Sequence, residues 1–259
     1  MATALACLAA KMRMVQELQR YAVVSCHVER PLDDAVWAAF EHLLEQRPAG
    51  FVVTPLLRPP YEAAGEDEDL WLKRARRAAE LAPLGHHTHW GGPTQARPTE
   101  AVDADAIVRD EIEWLRARDL APRWFCGGGW YLDAPVAETL AAFDYVDCSA
   151  TTFKQSYLDD AAPRLQLPAP RRVRLPSGAS LLELPATHSL GMLARDLLRL
   201  RGFVHVHFHD WELLDRRKAL ALQVVLRALR LRRKPLGIDQ LTNLAANAPE
   251  IEWLEALEA

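Results

Sequence analysis

His87 and His89 stand two apart in the stretch Gly85–Trp90, which reads G-H-H-T-H-W. Residues two apart on a β-strand leave the same face, so these two imidazoles can close on one metal ion. Gly91 and Gly92 follow directly and let the backbone turn away. His27 and Glu29 repeat the spacing at the end of an earlier β-rich run. Two imidazoles and one carboxylate leave coordination positions open for water and substrate, as catalytic zinc requires. A bound divalent ion lowers the pKa of water towards neutrality and polarises a carbonyl. Hydrolysis of an amide or ester uses both effects. It also needs a base to take a proton from water and an acid to protonate the departing amine.

Three more histidines, His205, His207 and His209, share one face of the alternating run F-V-H-V-H-F-H. His205 and His207 read as core histidines bonded to carbonyls or carboxylates. His209 ends the strand, is followed by Asp210, and is the candidate general acid. His86 points opposite to His87 and is not counted as a ligand. His42 and His188 read as surface or local capping residues. The run Gly127-Gly128-Gly129-Trp130 has two readings: its N–H groups, through Tyr131, form an oxyanion hole, or the glycines only make a tight turn. Trp90, Trp130 and Trp211 have two as well, a platform for a sugar ring or core packing. Cys26, beside His27, reads as a small buried thiol.

These residues need strands to aim them. Tyr21–Cys26, Phe51–Thr54, Trp124–Cys126, Tyr145–Asp147, Leu181–Leu184 and Phe203–His209 have strand character. Helical spacing covers residues 3–19, a segment capped by Asp33 or Asp34 and running through Gln46, then Leu70–Leu81, Asp103–Asp119, Val136–Phe143, Leu190–Arg201, Leu213–Leu231 and a closing Ile238–Ala246. The Pro-rich, acidic loop Pro55–Asp69 is a candidate rim, and Thr152–Gly178 reads as mostly irregular. Alternation of strand and helix predicts an α/β fold with a largely parallel sheet. The candidate residues fall where strands end, as sites in parallel α/β folds do. The expectation is one domain, a distorted (β/α) barrel of about seven parallel strands over residues 20–259, with an N-terminal helix over residues 1–19 packed on it.

Composition sets limits. A chain of 259 residues with net charge −4 gives no sign of a nucleic-acid partner held by bulk charge. The basic run Arg227–Lys234 reads as the wet face of an amphipathic helix. The four cysteines, Cys7, Cys26, Cys126 and Cys148, form no Cys-x-x-Cys pair, which suits a reducing compartment. No apolar run is long enough to span a bilayer, and no basic segment precedes the opening apolar residues, so a cytoplasmic location is expected. The expected partner is a small-molecule or glycan substrate, with neither nucleic acid nor membrane.

Five segments in order, S-C-H-V-E (Ser25–Glu29), H-T-H-W (His87–Trp90), W-F-C-G-G-G-W (Trp124–Trp130), L-E-L-P (Leu182–Pro185) and H-F-H-D (His207–Asp210), together resemble the motifs of the polysaccharide deacetylase family, the NodB-homology group or carbohydrate esterase family 4. The resemblance covers residues 20–246. It implies a distorted barrel of fewer than eight strands, one divalent metal, usually zinc, and hydrolytic removal of N-acetyl groups from sugars. By that resemblance Glu29, His87 and His89 are metal ligands, His27 stands at the base position and His209 at that of the acid. Departures from the family pattern are His27 in place of an acidic residue, His-x-His in place of the wider spacing, and Cys126 where the family has an arginine. Two assignments follow: His27 as a neutral base, or His27 as a third ligand with Glu29 as base. The expected function is metal-dependent removal of an acyl group from a sugar or related amide, possible roles including surface-polysaccharide synthesis. The alternative is a catalytically silent barrel that binds a glycan or partner.

Overall fold

The computed structural model describes residues 17–152 and 164–258. The helix expected over residues 3–19 lies almost wholly outside them. Strand β1 (Tyr21–Val28) lies inside the sheet, third from one end of the strand order. Its even residues Ala22, Val24, Cys26 and Val28 pack outward against a helical layer with Trp37, Phe40 and Leu226. Its odd residues turn inward: Val23 joins a second cluster with Leu56, Trp124 and Leu182, and Ser25 and His27 are buried on the same side. The two-residue period of the pleat makes this division.

From β1 the sheet runs one way through β2 (Val53–Leu57), β3 (Gly85–Thr88), β4 (Trp124–Gly127), β5 (Val146–Asp147) and on to β7 (Ser180–Glu183), all parallel. The other way lie β9 (Val204–His209) and β8 (His188–Ser189), also parallel. The short β10 (Lys234–Pro235) adds to the start of β1. The helices are α1 (Asp34–Gln46), α2 (Glu68–Leu81), α3 (Ala104–Arg116), α4 (Ala134–Ala142), α5 (Leu190–Asp196), α6 (Arg216–Arg230), α7 (Ile238–Leu244) and α8 (Trp253–Glu258). Five of them start on an aspartate, Asp33, Asp67, Asp103, Asp133 and Asp215, whose carboxylate accepts first-turn N–H groups. Such a cap contributes about 1 kcal/mol. No helix among the described residues is long and apolar enough to cross a membrane.

The result is a single α/β domain around a mostly parallel sheet. The strand ladder has two ends, and the run 184–187 spans the seam between them: Leu184 N–H donates to Asp147 O (2.8 Å), Ala186 N–H to Ala150 O (2.9 Å) and Thr187 N–H to His205 O (2.9 Å). Two expectations need correction. First, β2 continues through Pro55, where Phe51–Thr54 was expected, because only one backbone donor is lost there. Second, the irregular middle contains β6 (Arg171–Arg174), antiparallel on β7, and Ile238–Ala246 does not close the chain. Strand β11 (Glu250–Glu252) adds to β6, and α8 follows it.

Asp147 and Glu183 face each other across the β5–β7 ladder and both are fully buried. Ser149 donates to Asp147 through its backbone N–H (2.7 Å) and its hydroxyl (2.8 Å), whereas neither Glu183 oxygen meets a hydrogen-bond partner. Burial, and then the Asp147 charge, push the Glu183 carboxyl well above the ordinary range. The folded chain therefore keeps a proton that the unfolded chain releases above about pH 4.3, and stability falls as pH rises from there until the folded value is passed. Glu183→Gln removes this linkage. We expect a melting temperature at pH 8 about 2–4 °C above wild type, a gain of about 1 kcal/mol, and no gain at pH 4, checked by melts across that range.

Candidate metal centre

The carboxyl ends of β1, β3 and β9 meet on one side of the sheet. In the β1–β9 register His27 stands opposite His209 and Ser25 opposite His207. His87 stands opposite Cys126 in β3–β4. Alternation then carries Glu29, His89 and His209 to the same end as His27 and His87. His86 goes the other way, as its parity requires, and pairs with Glu111 at 2.8 Å. His205 is a core residue between Ser25 Oγ (2.9 Å) and Leu184 O (3.1 Å).

His87 Nδ1 lies 2.7 Å from Cys126 O, and His89 Nδ1 lies 2.8 Å from Pro93 O. A carbonyl only accepts, so each Nδ1 carries the proton and each Nε2 presents a lone pair. Both Nε2 atoms are buried and have no hydrogen-bond partner. Both face Glu29 Oε1, at 3.8 Å from His87 and 3.5 Å from His89. Burial, set against the Glu29 contact, brings His87 down to about 4, so it is neutral near pH 7. A proton on either facing Nε2 would hold the Glu29 carboxyl well below the usual range against the effect of burial. With both ring protons on Nδ1, a metal cation can take that place. Two lone pairs and a carboxylate that converge without a proton between them are the donor set of a cation site. Glu29, His87 and His89 offer ligand atoms within 4.8 Å of one another, and the donor chemistry fits zinc.

A cavity of about 450 Å³ opens beside this set and is lined by His27, Glu29, His87, Trp130, His207 and His209, among others. His27 stacks on His87, with ring centroids 4.6 Å apart. Burial, and then the neighbouring rings, keep His27 well below its ordinary pKa and hence neutral. His209 differs. Burial lowers it, but Glu212 and Glu29 more than offset that and raise it. Its Nε2 lies 3.5 Å from Glu29 Oε1. Glu212 accepts the His209 backbone N–H at 3.0 Å and is itself held by Lys218 at 3.0 Å. Trp211 stacks on His209 and donates its indole N–H to Glu29 Oε2 (3.2 Å). Asp210, raised to about 6 chiefly by burial, accepts the Arg30 and Trp211 N–H groups, both at 2.8 Å, and ties the two strand ends together.

Two expected substrate residues are not in the cavity. Trp90 is fully buried, donates to Gly128 O (3.0 Å) and packs with Val108, Ile112 and Phe125 on the outer face. Tyr131 packs against Trp90 and donates its hydroxyl to Asp133 (2.6 Å), and its backbone N–H is committed to Gly128 O (3.3 Å). Neither can meet a ligand in the cavity. Gly129 and Trp130 do line it. Trp130 has φ +63°, unusual for a residue with a side chain, and its ring lies 4.7 Å from His207 and 5.1 Å from His27. A left-handed non-glycine residue costs about 1–3 kcal/mol, and such strain gathers at functional sites. The residues missed from sequence are Glu212, His207 as a wall of the cavity, and Tyr61. Glu212 follows His209 by three, a capping spacing that was there to be read. Tyr61, in the loop taken as a rim, donates to His89 O and accepts the Gly91 N–H at 3.1 Å, pinning the ligand loop.

Gly128 packs against the backbone of Thr88 and Ala96, beside His89. A Cβ there would lie 2.7 Å from Ala96 O and 2.7 Å from Thr88 O, both backbone atoms. Gly128→Ala should cost about 3 kcal/mol, the upper range for overpacking, and weaken zinc binding through the backbone beside His89. Melts with and without zinc check both effects.

No family model and no curated protein matches the sequence. Among solved structures, 4-alpha-glucanotransferase from Thermococcus litoralis is similar over 90% of this chain at 10% identity and TM-score 0.55, and this chain spans 42% of it. A Bordetella bronchiseptica protein assigned as a polysaccharide deacetylase involved in O-antigen biosynthesis aligns over 88% of this chain and 91% of its own, at 18% identity and TM-score 0.46. A family 4 carbohydrate esterase from Streptomyces lividans, solved in complex with acetate, aligns over 81% and 88%, at 11% identity and TM-score 0.46. At these identities the likeness is one of fold, an α/β domain on a mostly parallel sheet.

Proposed function

We infer that this chain is a metal-dependent hydrolase that removes an acyl group, N-acetyl foremost, from an amino sugar or a related carbon–nitrogen amide. The observation that carries the reading is the pair of buried, partnerless Nε2 atoms of His87 and His89 facing the Glu29 carboxylate. Glu29, His87 and His89 would hold the cation, zinc by donor type. When bound, it supplies Lewis acidity to the acyl oxygen and to water. His27, on the cavity floor beside His87, takes the proton as the water oxygen bonds to the acyl carbon. His209, whose Nδ1 faces Glu212 Oε2 at 3.7 Å, gives a proton to the nitrogen as the C–N bond breaks, leaving a free amine and a carboxylate. Gly129 and Trp130 line the wall on which the acyl group would rest. N-acylated amino sugars are the substrate class this chemistry suits.

One feature favours a silent, glycan-binding barrel. Cys126 is fully buried and its thiol is pushed well above its ordinary pKa by burial, so no cation stands at the family's arginine position. Acetate release separates the two readings. Zinc-loaded protein should release acetate from N-acetylated amino sugars, lose activity to a chelator and regain it with zinc. Binding of those sugars with no acetate release by zinc-loaded protein would overturn the hydrolase.

A further inference from the structure

The molecule's charge is unevenly spread. Residues 197–234 hold ten Arg and Lys against three Asp and Glu, in a chain of net charge −4. Two separate segments bring part of this charge to one patch. Leu197–Leu200 packs beside α6, and Arg233 Nη2 donates to Leu200 O at 3.3 Å, joining that segment to the end of α6. The patch shows Leu198 at 82% exposure and Leu231 at 88%. Around them Arg199, Arg201, Arg230 and Arg232 are exposed, and none forms an ion pair with a described acidic residue. Glu17, which feels Lys234, and Asp196, which feels Arg199, are held by Arg20 and Arg195. Leu220 and Val224, exposed at 65% and 53%, continue the apolar line along α6.

We propose that this face docks on the surface of an anionic lipid bilayer. Arginines that ring protruding leucines match a layer of phosphates over hydrocarbon, and a fluid interface receives a protruding leucine without a preformed pocket. A second copy of the chain would bring arginine against arginine. A nucleic acid would satisfy the charges and leave the leucines in water. Neither fits the combination. This is surface attachment, a different physical case from a spanning helix, of which the described residues hold none. The patch lies at the starting ends of β1 and β9, where Lys234 pairs with Tyr21. The cavity opens at the other end of those strands, so docking leaves it accessible.

Co-sedimentation tests the proposal independently of the metal site. The full chain should pellet with phosphatidylcholine vesicles containing about 30% phosphatidylglycerol, and far less with phosphatidylcholine alone or in about 0.5 M salt. Arg230→Glu/Arg232→Glu should weaken binding by about tenfold or more. Leu198→Ser/Leu231→Ser, which leaves the charge unchanged, should weaken it about fivefold. All four side chains are exposed, so the variants should melt like wild type. No sedimentation with the anionic vesicles overturns the proposal. So does undiminished binding by the double-leucine variant, or tighter binding to a short duplex RNA than to the vesicles.

Discussion

His89→Ala should abolish the stabilisation that zinc gives the wild-type protein. A ligand present at about 100 times its dissociation constant adds about 2.7 kcal/mol, or about 5–10 °C in melting temperature for a chain of this size. The variant should melt within a few degrees of metal-free wild type, because the Nε2 it loses has no protein partner. What it does lose is the Nδ1 bond to Pro93 O, about 1 kcal/mol. Zinc should then leave its melting temperature unmoved, and acyl release should fall to background. Glu29→Ala should behave alike, with the added loss of the Trp211 bond. Melting scans with and without zinc check both variants. A His89→Ala protein that zinc still stabilises as fully as wild type would mean that the cation is held elsewhere.

His209→Asn should separate chemistry from metal binding. Loss of a positioned general acid lowers kcat by about 10²–10⁴. His209 is outside the Glu29, His87 and His89 set, so the zinc-induced rise in melting temperature should remain. Glu212→Gln keeps the shape but removes the charge that raises His209. It should lower kcat by about tenfold and move the alkaline limb of the rate profile, where His209 loses its proton, to lower pH. Equal kcat in wild type and His209→Asn would remove His209 from the mechanism.

Much of the site is a matter of parity, and parity can be read from sequence. His27 with Glu29, and His87 with His89, converge because a pleat repeats every two residues, and His86 diverges for the same reason. Trp90 was open to the same test. It shares parity with His86 and Thr88, and it packs on their side, against α3. What parity cannot give is which atoms lack partners. The Nε2 lone pairs are visible only once Cys126 O and Pro93 O are seen to hold the opposite ring nitrogens. Strand β6, R-R-V-R, is hidden by its charge, since only Val173 is buried. Strand β11 has three residues and gains its place from pairing with β6. The bridge across the seam rests on backbone bonds between residues far apart in the chain, which no local pattern encodes.

The most direct measurement is the metal content of freshly purified protein, wild type beside His87→Ala. About one divalent ion per chain is expected in wild type, zinc foremost, and none in the variant. Wild-type protein that carries no metal and takes up none on titration with zinc would contradict the centre, and with it the hydrolytic reading.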